Sequence, residues 1–127
     1  MTIIAEGRLI DRFVEQLMKW PGVQEVTGDK LGERSLRVGG REFLHIHGDS
    51  TLHIQLTKDV KAEVLAKGKA EQHPYAPRGG MVAYYLRSDA QLAEALQLSK
   101  IALGHAASRK TNPGVALEKV FRRERSL

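Results

Sequence analysis

The order of patterned segments predicts an α+β domain: an antiparallel β-sheet with helices packed on one face, in the order α-β-β-β-β-α-β-α. Three observations carry this reading. An apolar stripe with helical spacing opens the chain, four short alternating segments follow with glycine-rich links, and a strongly β-prone run lies between two further helical patterns.

The opening helix rests on Ile10, Phe13, Val14, Leu17 and Met18, spaced to share one face, with Arg8, Asp11, Arg12, Glu15 and Lys19 on the other. Pro21 disfavours helical geometry at Trp20, and Gly22 follows, so the helix ends there. Trp20 reads as a core anchor rather than a stacking platform. Val23 to Val26 is a first strand, ended by Thr27-Gly28-Asp29, and Ser35 to Val38 is a second. Gly39-Gly40 forms a two-residue hairpin turn, because both positions accept positive φ. Arg41 to Ile46 and Leu52 to Leu56 are the third and fourth strands. On them Leu44 and Ile46 share a face, and Leu52, Ile54 and Leu56 do likewise. Thr57 caps a helix that stops at Gly68. Residues 68–80 read as loop, and Met81 to Leu86 is the strongest strand by propensity. Ser88 or Asp89 starts a long helix with Leu92, Ala95, Leu96, Ser99, Ala102, Leu103 and Ala106 on its buried side. Thr111-Asn112-Pro113-Gly114 breaks it, and 115–124 reads as a last short helix.

Length and composition set the organisation. With 127 residues and 42% apolar content, residues 1–108 form a single domain able to bury a core, and 109–127 form a basic C-terminal extension. There are no cysteines, which excludes a disulfide scaffold, a zinc ribbon and a thiol nucleophile. Met1 to Arg8 lacks the pattern of a signal peptide, and no stretch approaches the ~20 apolar residues of a membrane span, so a cytoplasmic protein without membrane contact is expected. The net charge of +5 is uneven. In 109–127, Arg109, Lys110, Lys119, Arg122, Arg123 and Arg125 stand against Glu118 and Glu124, a net of +4, whereas 1–108 carries +1. A nucleic acid or an acidic partner would therefore meet the extension.

The side chains able to carry chemistry fall into two clusters. His45 and His47 share the face opposite Leu44 and Ile46. Pairing Ile46 with Ile54 would set His47 opposite His53, with Asp49 in the turn between. Three imidazoles and a carboxylate form a set that zinc, iron or manganese takes, so His45, His47 and His53 are candidate ligands for a divalent metal. The second cluster, His73, Tyr75 and Arg78, sits in a proline-bounded loop that would complete one polar pocket for a small-molecule ligand by folding over the hairpin. A plainer reading stands beside each. His47 and Asp49 serve the turn through hydrogen bonds, and Tyr75 packs a stiff loop against the sheet. Neither Gly39-Gly40 nor Gly79-Gly80 leads through a lysine into a helix, so neither is a phosphate loop.

Three stretches carry a family resemblance: Trp20-Pro21-Gly22-Val23-Gln24-Glu25-Val26, Val38-Gly39-Gly40-Arg41-Glu42-Phe43-Leu44-His45-Ile46-His47-Gly48-Asp49, and His73-Pro74-Tyr75-Ala76-Pro77-Arg78-Gly79-Gly80-Met81-Val82. In order and spacing, over roughly residues 10–106, they resemble the bacterial and fungal family known as the luciferase domain. The resemblance implies a fold and no defined reaction. The sequence carries no flavin or adenylate motif, and few aromatics to line a luciferin pocket. A more distant resemblance is to YjbR/MmcQ-type proteins, which share the first helix, the proline-glycine turn, the glycine hairpin and the closing helix. This chain departs from them at Trp20, where leucine is more usual. A DNA-binding role proposed for that group would be implied only through the fold.

Three functions remain open on these grounds. The leading one is a non-catalytic binding or accessory module, with its ligand on the His45, His47, Asp49 and His53 face under the 73–80 loop. The second is an enzyme using those histidines as metal ligands or as acid and base. The third is a DNA-binding protein using the C-terminal extension.

Overall fold

A computed structural model describes residues 8–27, 33–74 and 79–108. Tyr75, Arg78 and the basic residues from Arg109 to Arg125 lie outside the described residues, as do the 111–114 break and the 115–124 helix.

The stripe at the start of the chain forms α1 (Leu9–Met18), which buries Ile10, Phe13, Val14 and Leu17. Met18 is 43% exposed, against the expectation that it joins the stripe. At about 100° per residue it lies well round the helix from Leu17, past the edge of the buried face. Trp20 packs at the margin of the core, with the Lys100 ammonium 4.9 Å from its ring centroid.

Four strands follow: β1 (Val23–Thr27), β2 (Glu33–Val38), β3 (Arg41–His47) and β4 (Thr51–Gln55). Gly39 and Gly40 make the β2–β3 turn at φ 58° and 80°. Thr57 Oγ1 then accepts a hydrogen bond from the Val60 amide at 3.2 Å, capping α2 (Lys58–Ala66). The segment read as loop contains a short strand, β5 (Glu71–Gln72), which pairs with Ala83 and Val82 of β6 (Met81–Tyr85). Two residues are too few to show a period, so the pairing is legible only once β6 is in place. Ser88 caps a 3₁₀ turn (Asp89–Gln91), with Gln91 Oε1 accepting from the Ser88 amide at 3.0 Å. That turn opens α3 (Leu92–Ser108), which buries Leu98 besides Ala95, Ser99, Ala102, Leu103 and Ala106.

The six strands form one sheet in the order β1-β2-β3-β4-β6-β5, antiparallel throughout. The expected α+β architecture is therefore present. Leu36, Leu44, Ile46, Leu52, Ile54 and Val82, all 0% exposed, make the core with α1 and α3. Because side chains alternate across a strand, the residues between them face the opposite side of the sheet.

One irregularity shapes that opposite side. Between Leu36 and Arg37 the β2–β3 register shifts: Leu36 pairs with Leu44, but Arg37 pairs with Glu42. Phe43 is the extra residue of a β-bulge. It turns into the core beside Leu44, both 0% exposed, and Glu42 moves to the face of His45.

Candidate functional site: a histidine cluster on the sheet

His45 pairs with His53, Ile46 with Leu52, and His47 with Thr51. The expected pairing of Ile46 with Ile54 is therefore off by two residues. The chain reverses over Gly48, Asp49 and Ser50, with Gly48 at φ 65°, a tighter loop than that pairing needs. A shift of two keeps every side chain on its face, so the apolar set stays buried and the histidines still converge.

The rings of His45, His47 and His53 touch edge to face, with centroids 4.7 to 4.9 Å apart. One ring nitrogen from each lies within 4.8 Å of the others. His73, in the segment after β5, places its ring 4.1 Å from that of His53, and both residues are buried. Four of the five histidines thus meet on one face. The fifth, His105, is in the last turn of α3.

Among the described residues, the carboxylates that reach the rings are Glu33 and Glu42. Glu42 Oε2 lies 2.8 Å from His45 Nδ1, and Glu33 Oε2 lies 3.3 Å from His47 Nε2 and 3.9 Å from His45 Nε2. Asp49 is exposed in the turn. The contact with Glu42 assigns the His45 proton to Nδ1, which leaves Nε2 an acceptor for the Nδ1–H of His53 at 3.0 Å. Buried Ser35 is paired opposite His45, and its hydroxyl accepts from Arg37 Nε at 2.9 Å.

The electrostatics follow from crowding like groups away from water. Burial, then the neighbouring His73, His45 and His47, push the His53 pKa down to about 4. His73 is lowered as well, by burial first and then by His45, His47 and Lys61. Lys61 is itself buried and donates from Nζ to the Gly79 carbonyl at 3.0 Å.

Glu33 and Glu42 are the site residues that sequence reasoning missed. Counting outward from the Gly39-Gly40 turn without a bulge would pair Glu33 with Ile46, on the core face. The signal for the extra residue was Phe43-Leu44, two adjacent apolar side chains in a strand that otherwise alternates.

A separate cleft of about 190 Å³ opens at the β5–β6 edge, where Tyr84 donates to Glu94 at 3.0 Å. Burial and then Glu94 raise the Tyr84 pKa to about 12, and no histidine lines this cleft.

The fold and site together define a small antiparallel α+β protein, helices on one sheet face and a histidine–carboxylate cluster on the other. Residues 40–102 match the family described as the Luciferase domain. The segment holds His45, His47, His53, His73 and Glu42, while Glu33 lies ahead of it. No curated protein and no solved structure matches the chain significantly.

Proposed function

We propose that this protein is a non-catalytic binding module whose ligand site is the histidine face. The observation that supports this best is the convergence of His45, His47, His53 and His73 with Glu33 on one sheet face. Such a surface offers nitrogen and oxygen lone pairs to one small ligand. An enzyme using this face would have to take its general base from a residue other than His53. A general base works best with a pKa near the operating pH, and His53, at about 4, is too weak a base for that at neutrality. Its ring is neutral there and available to a ligand instead.

A thermal-shift panel of divalent ions, carboxylates, amines and nucleotides tests the reading, run on wild type, His47→Gln and His53→Gln. One ligand class is expected to raise the wild-type Tm by several degrees and to lose that effect in both variants. A wild-type Tm that nothing moves, or a shift kept by both variants, would overturn it.

A further inference from the structure

We propose that the ligand of this face is a divalent transition-metal ion of the zinc type, held by His45 Nε2, His47 Nε2, one ring nitrogen of His53 and the Glu33 carboxylate, with Glu42 orienting His45 from behind. The proposal rests on the binding-module reading and supplies its ligand class.

The spacing of the donor atoms carries it. Ligands about 2.0–2.1 Å from a tetrahedral zinc lie roughly 3.3–3.4 Å from one another. The measured separations bracket that distance: 3.0 Å from His45 Nε2 to His53 Nδ1, 3.3 Å from His47 Nε2 to Glu33 and 3.9 Å from His45 Nε2 to Glu33. The three ring nitrogens lie within 4.8 Å of one another, so closing on an ion takes side-chain rotation and no change of register.

The second observation is independent of the first. Metal-bound histidines usually donate their other ring N–H to a carboxylate, which fixes the tautomer and raises ligand basicity. Glu42 does this for His45, 2.8 Å from Nδ1, and the bulge at Phe43 is what brings Glu42 to that side of the strand. Its role is positioning, because its oxygen meets the far side of the ring. The set runs from the buried His53 to His47, whose side chain is 38% exposed, so an ion reaches it from the His47 side. His45, with its proton on Nδ1, is already in the binding tautomer, and His47 binds through Nε2 with its own proton on Nδ1. Imidazole and carboxylate suit zinc, iron and nickel, and three histidines with a carboxylate fill a closed tetrahedral site. A closed site agrees with a binding role.

The experiment is isothermal titration of tag-free, chelator-treated full-length protein with zinc, and visible absorption of the cobalt(II) form. One ion per chain and a tetrahedral cobalt spectrum are expected. If an orienting carboxylate is worth about 10–100-fold in affinity, Glu42→Gln should weaken zinc by that factor with the cobalt spectrum unchanged in shape. His47→Gln, His53→Gln and Glu33→Gln should each cost more than about 100-fold, since they remove ligands themselves. Asp49→Asn should bind as wild type does. Zinc binding that survives the histidine variants overturns the site. So does an octahedral cobalt spectrum in wild type, a readout that needs no variant to fold. Absence of zinc and cobalt binding, with another ligand class still lost in His47→Gln and His53→Gln, overturns the metal and leaves the binding module standing. No ligand of any class overturns both.

Discussion

Protonation of His53 puts a charge into a buried cluster that already holds His73, His45 and His47, with Glu33 and Glu42 at its rim. Its folded pKa of about 4 lies below the unfolded value of 6.5, so between those values the unfolded chain carries a proton that the folded chain refuses. Stability from this group is therefore complete above pH 6.5 and lost as the pH falls toward 4. At about 1.4 kcal/mol per pKa unit the full shift would be worth roughly 3.5 kcal/mol, and screening by the solvent that still reaches the cluster brings the loss to about 2 kcal/mol. Urea midpoints of chelator-treated protein between pH 7 and 4 should fall more steeply for wild type than for His53→Gln, and parallel profiles would refute the assignment. At this scale the site was partly legible. The histidines could be placed on one face because period 2 survives any even register shift. Their carboxylates could not, because Phe43 inserts a residue and exchanges the faces of everything beyond it on the hairpin. Asp49 drew attention through nearness in sequence, whereas Glu33 and Glu42 arrive through pairing and the bulge.

The elements with strong periods or strong punctuation were readable: α1 from its stripe, the β2–β3 hairpin from Gly39-Gly40, and α2 from Thr57 and Gly68. What was missed lacked a local signature. β5 exists through pairing with β6, and Leu98 is buried in the core cluster with Val64 of α2, the two lining one cavity, which widens the covered face of α3. Another feature hidden at this scale is Gly80. A Cβ there would stand 1.7 Å from the Leu56 carbonyl oxygen, and the Gly80 carbonyl accepts from the Leu56 amide at 3.0 Å. The clash is with backbone, which cannot rotate away, so Gly80→Ala must part the chain where it leaves β4 and enters β6. A cost of roughly 3 kcal/mol is expected, at the upper end for overpacking. Gly104 is the opposite case, an exposed helix position with nothing within 4 Å of the added atom. There alanine should stabilise by about 0.5–1 kcal/mol through helix propensity. Urea midpoints of the two variants should move in opposite directions, and a shift of the same sign in both would contradict this account of Gly80.

Across the whole molecule, helices and histidines divide the sheet between them. α1 and α3 bury one face and leave the other to polar chemistry. No helix among the described residues is long and apolar enough to cross a membrane. The charge is divided differently, along the chain, with +1 in residues 1–108 and +4 in 109–127. These divisions make the histidine site and any polyanion contact separable. Each phosphate neutralised on duplex DNA contributes about −0.9 to the slope of log affinity against log salt, so six basic residues in 109–127 cap the slope near −5. Full-length protein should retain duplex DNA weakly at low salt with a slope no steeper than that, whatever the DNA sequence, since phosphate contacts alone carry no base preference. A chain ending at Ser108 should lose this retention while keeping its urea midpoint and its zinc affinity, because Glu33, Glu42, His45, His47 and His53 all precede the cut. Salt-dependent DNA binding that survives the truncation with the same slope would instead assign the contact to the body of the domain. A fall in zinc affinity on truncation would show that the extension supports the histidine face, and the two sites would then no longer be independent.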